Sequence, residues 1–174
     1  MLVEGTGGVA LFAMQLANAA GARVIVISSS DEKLAKAKQH GAWQGINYRT
    51  TPEWDRAVIE LTDGIGVNHI LELGGPSTYD RSIAAIAPGG QIARIGVLSG
   101  FGSQPNMPPL QFKNASVNGI CVGSVEHFEA LNMFTEQNRI EPIIDRQFGF
   151  GEVPQAYDYL RAAGHFGKVC ITVD

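Results

Sequence analysis

The chain has 174 residues, of which 45% are hydrophobic and 17% are charged, and its formal net charge is −4. This composition supplies one sizeable core and is typical of an ordinary globular protein. The sequence contains no lysine- and arginine-rich run, so it predicts neither nucleic acid nor a membrane surface as a partner. It also lacks the roughly 20 consecutive apolar residues that cross a bilayer and the basic start of a secretory leader.

The two cysteines support the same interpretation. Cys121 and Cys170 each lie in an apolar, strand-like run and have no second cysteine or histidine at metal-ligand spacing. Such residues are typically reduced thiols in the core of an intracellular protein. We therefore expect a cytoplasmic protein.

Residues 1–124 alternate between strand-like and helix-like segments. The apolar run from Leu2 to Glu4 ends at a group of glycines, and the apolar segment from Val9 to Ala20 predicts a buried helix. Further strands are predicted at residues 22–30, 44–48, 67–73, 91–97 and 116–123, and further helices over residues 31–40, from residue 51 onward, and from residue 74 to a stop at 88–90. Six strands alternating with four helices predict a doubly wound parallel α/β sheet, a Rossmann fold, with the strand order 3-2-1-4-5-6.

The alternation changes after residue 124. The remaining sequence predicts a helix at 128–137, a strand at 143–150, a helix at 153–163 and a strand at 167–173. These elements do not extend the parallel sheet in a regular way. We therefore divide the chain into a Rossmann domain at residues 1–124 and a short α+β segment at residues 125–174.

The first turn carries a glycine motif between the first strand and the first helix. Gly5, Gly7 and Ala10 match the pattern G-x-G-x-x-G/A in the strand–turn–helix context that gives the pattern its meaning. The predicted pyrophosphate site comprises Gly5, Thr6, Gly7, Gly8 and Val9. In this arrangement a bare backbone lets the anion approach free amides at the helix N-terminus.

Two other interpretations of this turn remain open from the residues. The glycines could serve packing alone. Alternatively, the acidic Glu4 before the motif and the segment LELGG are similar to the first loop of an S-adenosylmethionine-dependent methyltransferase. The sixth predicted strand argues against a methyltransferase.

The end of the second strand indicates which dinucleotide is bound. An NAD-binding domain usually has Asp or Glu there to hold the ribose 2′-hydroxyl. This chain instead has serines at 28–30, followed by Lys33. Hydroxyls and a cation suit the 2′-phosphate of NADP, whereas a capping serine and a solvated lysine would explain the same residues without a ligand.

Longer stretches of the sequence resemble one family. GTGGVALFAMQLANAAGARVIVISSSDEKLAKAKQHGAWQGINYRT, ELGG, APGGQIARIGV and GKVCITV have the order and spacing of the medium-chain dehydrogenase/reductase superfamily. The resemblance covers the whole chain and is greatest to the quinone oxidoreductase-like and zinc-type alcohol dehydrogenase branches. It implies hydride transfer between a nicotinamide cofactor and a small-molecule substrate: a carbonyl, an enone or quinone, or an alcohol.

The resemblance also assigns residues. In quinone oxidoreductase-like members a lysine and a tyrosine at the positions of Lys33 and Tyr48 hold the adenosine 2′-phosphate, which favours NADP over NAD. The expected adenosine-phosphate site is Ser29, Ser30, Lys33 and Tyr48. The residues expected to line the nicotinamide, at the ends of strands four to six, are Gly74, Gly75, Gly96, Val97 and Val122. No catalytic residue is assigned, and no zinc site is expected, because the four histidines have no ligand spacing.

The family further implies how the chain is assembled. Members commonly dimerise through the sixth strand, and they carry a catalytic domain before the cofactor domain. We expect a homodimer, and we expect residues 125–174 to complete a catalytic domain that these 174 residues do not supply. On that view the chain alone binds nucleotide without turnover, and apolar residues such as Phe148, Phe150 and Val153 are either exposed or buried in a non-native or intermolecular contact.

Overall fold

The computed structural model describes residues 1–173. The strands are β1 (Leu2–Glu4), β2 (Ile25–Ser28), β3 (Gln44–Asn47), β4 (Val67–Glu72), β5 (Ile86–Arg94), β6 (Ser116–Gly119), β7 (Ile144–Gly149) and β8 (Lys168–Thr172). Strands β1–β6 form one parallel sheet in the order β3-β2-β1-β4-β5-β6. The predicted doubly wound α/β fold and its strand order are confirmed.

Helices cover both faces of this sheet. They are α1 (Gly8–Ala19), α2 (Asp31–Gln39), α3 (Trp54–Leu61), α4 (Tyr79–Ala85), α5 (Pro108–Phe112), α6 (Val125–Gln137) and α7 (Val153–Arg161), with a 3-10 turn at Phe150–Glu152. Successive side chains of a strand point to opposite faces, so a strand covered on both sides must be apolar throughout. In β2 this places Ile25 and Ile27 in one core cluster and Val26 in the other.

The boundary between α4 and β5 differs from the prediction. The sequence predicted a helix from residue 74 to a stop at 88–90, which would include Ile86. Instead α4 ends at Ala85, and Ile86 begins β5, where it pairs with Val67. Pairing with β4 therefore overrides the helical periodicity. The prolines and glycines lie in an irregular part of the strand, where the register with β4 shifts and Gly89 adopts a φ of +72°.

The connection into β6, and its end, also differ. The connection contains the one-turn helix α5, which the sequence did not predict. Strand β6 ends at Gly119, so the chain has left the sheet before Cys121 and Val122. Cys121 is exposed and Cys170 is partly buried, so the expectation of two core thiols is wrong.

Residues 125–173 form a small unit that returns to the first turn of the chain. Strands β7 and β8 pair in parallel as a separate two-stranded sheet. Gly167 forms a bridge with Gly7, and its N–H donates to Thr6 O at 2.9 Å. The domain division at residue 124 stays a prediction.

The apolar residues of this unit are only partly exposed. Phe148 is buried, its ring centroid 5.9 Å from that of Tyr159, whereas Phe150 is exposed and Val153 is half-buried. Phe148 is therefore not exposed, and a residue of the same chain contacts it. Among residues 1–173, none of the helices has the length and hydropathy needed to cross a bilayer.

Candidate functional site

A cleft of about 580 Å³ opens at the carboxyl ends of the central strands. It gathers most of the predicted site residues at one place, namely Gly5, Thr6, Gly7, Gly8, Val9, Ser29, Lys33, Tyr48 and Gly96. Ligands bind at this edge of a doubly wound sheet, where the strand order reverses between β1 and β4. The pyrophosphate and adenosine ends of the predicted site are thus parts of one cleft.

The glycine turn has the open space that the prediction requires. Gly5 has a φ of +84°, which favours glycine, whereas Gly7 has an ordinary φ of −81°. A Cβ atom built on either glycine would meet no atom of residues 1–173 within 4 Å. Packing within the described chain therefore does not explain why position 7 is a glycine.

The helix behind this turn presents unsatisfied donors to the cleft. Helix α1 begins at Gly8, and its N-cap residue Gly7 has no side chain that could cap the first amides. The first turn also contains no acidic side chain. The N–H groups and the positive end of the helix dipole are therefore available to an anion.

The adenosine end is built by α2 and by the segment after α7. The Ser30 hydroxyl caps α2 by accepting the N–H of Lys33 at 3.3 Å, and Ser30 does not line the cleft. Lys33 does line it, and its Nζ donates to Ala163 O at 2.7 Å. Burial lowers the pKa of Lys33 from its ordinary value. The capping interpretation therefore fits Ser30, while Ser29, Lys33 and the half-exposed Tyr48 face the cleft.

The residues expected around the nicotinamide do not lie together in the cleft, which only Gly96 of the five lines. Gly74 lines a neighbouring cavity of about 550 Å³, together with Glu4 and Tyr48, while Gly75, Val97 and Val122 line neither space. The loops after β4 and β5 lie backbone against backbone, with Leu98 N–H donating to Leu73 O at 3.2 Å and Ser99 N–H to Gly74 O at 2.8 Å. A Cβ on Gly96 would overlap the Leu73 backbone, so close packing explains that glycine. Val122 is 86% exposed.

Two buried carboxyl groups lie directly behind the cleft. Glu4 ends β1, and Glu72 ends β4. Glu4 Oε2 accepts the N–H groups of Leu73 and Gly74 at 2.9 and 2.8 Å. Ser82 Oγ lies 3.0 Å from Glu4 Oε1 and 2.6 Å from Glu72 Oε2. The sequence did not predict this acid pair, because its members are far apart along the chain.

One proton explains how two acids share this space. Burial, followed by the charge of Glu72 and a hydrogen bond to it, raises the pKa of Glu4 to about 8. A protonated Glu4 donates to Ser82, which then donates to Glu72. Glu72 Oε1 in turn accepts Gly75 N–H at 2.9 Å and the Thr78 hydroxyl at 2.6 Å. The pair thereby fixes the loop at residues 73–78 against β1.

The cleft also contains residues that the sequence did not predict. Leu160, Ala163 and His165, which follow or end α7, also line it. The Lys168 side chain passes over the same turn, since a Cβ on Gly8 would lie 2.7 Å from its Cε and Nζ atoms. The segment GKVCITV contributed to the family resemblance, but nothing in it signalled that it folds onto residues 6–8.

The described residues include no obvious metal centre. Within residues 1–173, no group of three or more His, Cys, Asp and Glu side chains could hold a metal ion. His69 is exposed on β4, and His127 takes part in the capping of α6. The cleft offers an anion the backbone amides of the glycine turn, the hydroxyls of Thr6 and Ser29, and Lys33, and the Lys168 side chain lies over the same turn.

The six-stranded parallel sheet, with helices on both faces, places the chain in the doubly wound α/β class. Residues 8–137 match the family described as zinc-binding dehydrogenase, and the chain belongs to this family. It forms the cofactor-binding half characteristic of the medium-chain dehydrogenase/reductase superfamily, as the resemblance implied. Family membership also excludes the methyltransferase interpretation of Glu4, whose carboxyl group holds the loop after β4.

Individual relatives agree with this assignment. The chain is 43% identical over 178 residues to the zinc-type alcohol dehydrogenase-like protein C1773.06c of Schizosaccharomyces pombe, covering 100% of this chain and 51% of that protein. A solved structure from Sinorhizobium meliloti 1021, named provisionally as an alcohol dehydrogenase, is 44% identical with a TM-score of 0.91, covering 99% of this chain and 50% of that one. A solved NAD-dependent alcohol dehydrogenase is 29% identical with a TM-score of 0.87, covering 99% and 51%. The chain thus spans about half the length of these relatives.

Proposed function

We propose that the chain binds NADP and forms the cofactor-binding part of an oxidoreductase. The complete reaction moves a hydride between nicotinamide and a small carbonyl, enone, quinone or alcohol. The observation that carries the proposal is the single cleft that joins the open turn at Gly7 to Lys33 and Tyr48. When bound, the cofactor supplies the hydride chemistry, and the protein supplies binding and position.

Each part of the cleft has a separate task in this proposal. The amides at the start of α1 hold the pyrophosphate, and Lys168 adds a positive charge over the same turn. Ser29, Lys33 and Tyr48 hold the adenosine 2′-phosphate. Lys33 then exchanges its bond to Ala163 O for a stronger, charge-assisted bond to phosphate.

The choice of NADP over NAD depends on this chain's own residues. One structural neighbour is named as an NAD-dependent enzyme, so family membership alone leaves both cofactors open. At the end of β2 the chain has Ser28, which is buried, and then Ser29, which lines the cleft. Serine at this position does not repel a phosphate as a carboxylate would, and Lys33 attracts it.

The test compares NADPH with NADH in the unmutated protein and in Lys33→Ala. We expect the unmutated protein to bind NADPH more tightly than NADH. In Lys33→Ala the ratio of the two affinities should fall about tenfold, because a charge-assisted bond from a half-exposed lysine contributes roughly 1.5 kcal/mol. Titration calorimetry measures both affinities, and Lys38→Ala, a substitution on the same helix outside the cleft, is the matched control. Equal affinities for both cofactors in the unmutated protein would contradict the proposal.

A second candidate function is nucleotide binding without turnover by these 174 residues alone. It is favoured by one feature of the cleft. The titratable side chains that line it are Glu4, Lys33, Tyr48 and His165, of which Glu4 is engaged in the acid pair. On this view, groups that touch the substrate belong to the other half of the longer protein. We place either form in the cytoplasm, where NADPH is held and thiols stay reduced.

A further inference from the structure

His165 lies in the wall of the cofactor cleft, on the loop between α7 and β8. The loop is anchored on both sides of this residue. Phe166 is buried in the core beside the α1–α2 layer, and Gly167 N–H donates to Thr6 O at 2.9 Å. His165 therefore has a fixed position relative to the glycine turn, and it lines the same cleft as Ser29 and Lys33.

The imidazole ring has an unsatisfied polar atom in this position. Nδ1 of His165 is buried and has no hydrogen-bond partner among residues 1–173. Leaving a buried polar atom without a partner costs stability, and a water, an ion or a ligand can supply the missing bond. A partner that approaches through the cleft would have to reach the ring beside Lys33.

The charges around the ring keep it neutral in the absence of a ligand. Burial, followed by the charge of Lys33 from α2, lowers the pKa of His165, and Asp145 from β7 opposes this in part. The imidazole is then uncharged at neutral pH. An arriving phosphate would reverse the local field, because a dianion beside the ring stabilises the imidazolium form.

We infer that His165 is a specificity-determining residue of the cofactor site, which binds the 2′-phosphate of NADP together with Lys33 and takes up a proton as it does so. The inference rests on the proposed function, since it concerns the same cleft and the same phosphate. The proton comes from solvent, and no covalent bond forms or breaks. NADH lacks the phosphate, so its binding involves no uptake at His165.

The first experiment measures the affinities for NADPH and NADH at pH 6.5 and pH 8.5. For the unmutated protein we expect the preference for NADPH to be about threefold greater at the lower pH, which is the linkage effect at pH 6.5 of a one-unit rise from a free pKa below 6.5. In His165→Gln the preference is smaller at pH 6.5 and nearly independent of pH. His69→Gln, which replaces an exposed histidine on β4, should behave as the unmutated protein.

The second experiment counts protons directly. Calorimetric titration in two buffers of different ionisation enthalpy should show uptake on NADPH binding that is lost in His165→Gln, and none with NADH. Thermal unfolding without cofactor checks that the variant is folded, and His165→Asn repeats the test if it is not. Identical pH dependence and proton uptake in the unmutated protein and a folded variant would overturn the role of His165 while leaving the preference for NADPH intact. Equal binding of NADH and NADPH at both pH values would instead overturn the proposed function.

Discussion

Gly7 shows how a single residue connects the sequence motif to the cleft. Its backbone angles are accessible to any amino acid, and a Cβ there would point into open space. The motif, in its strand–turn–helix context, predicted a phosphate site at residues that line the cleft, and that site stays a prediction. It did not predict His165 or Lys168, because the contact of residues 165–168 with residues 6–8 depends on how β7 and β8 fold back.

The Gly7→Val substitution tests whether Gly7 is needed for NADPH binding rather than for folding. We expect the variant to fold with nearly unchanged thermal stability, since valine adopts the native φ of −81° without a clash. Binding of NADPH should be lost, because the branched side chain fills the approach to the first amides of α1. Circular dichroism and thermal shifts with NADPH measure the two effects.

A matched control for this substitution is Gly151→Val. Gly151 also has open space around it and an ordinary φ, but it lies outside the cleft. Its variant should fold and keep full NADPH binding. Retained binding in folded Gly7→Val would show that the phosphate does not approach the turn at this position.

At the scale of elements, the strand order could be predicted from the sequence, whereas element boundaries that depend on sheet pairing could not. The strand order followed from alternation and handedness, which depend on connectivity rather than on exact boundaries. The start of β5 at Ile86 and the existence of α5 were missed, because pairing with β4 and a local proline pair determine them. The acid pair that joins β1 to β4 was missed for the same reason, since Glu4 and Glu72 meet only in the folded sheet.

The acid pair makes stability depend on pH. Glu4 has a folded pKa of about 8 against an ordinary value of 4.5, so the folded state binds its proton more tightly. The associated stability is fully present below pH 4.5 and is lost as the pH rises through about 8. We expect Glu4→Gln, whose amide makes the same bonds without titrating, to be more stable than the unmutated protein at pH 8.5 by on the order of 3 kcal/mol.

Urea unfolding at pH 5.5 and pH 8.5 measures this effect. At pH 5.5 the difference should shrink to about 1 kcal/mol, because Glu4 is protonated in the folded state but already mostly ionised in the unfolded state. Glu60→Gln, which replaces an exposed carboxylate on α3, should leave the pH dependence unchanged. A Glu4→Gln variant with the pH dependence of the unmutated protein would show that Glu4 does not hold the proton.

At the scale of the whole molecule, the edge of the sheet at β6 is the feature that points to assembly. Among the described strands, β6 pairs only with β5, and Ile120 and Val122 just beyond it are 47% and 86% exposed. An unpaired edge beside apolar side chains favours pairing with a second copy across a two-fold axis. We propose that the protein is a homodimer joined through β6.

Val122→Lys tests the dimer without disturbing the fold, because the side chain is exposed. Two lysines brought together across the axis would repel, so we expect the variant to sediment as a monomer at concentrations where the unmutated protein is a dimer. Ile65→Lys, a substitution of an exposed apolar residue between α3 and β4, should leave the dimer intact. A monomeric unmutated protein at high concentration would exclude this assembly.

The bridge between Gly7 and Gly167 has a consequence for how the protein is made. The glycine turn is made before the loop that carries His165, because residues 5–8 precede residue 165 along the chain. A nascent chain in which only strands β1–β6 have folded holds the turn without residues 160–168. On the proposed function, high affinity for a dinucleotide therefore arises only after these residues have been made, and a bound cofactor fastens them to the turn.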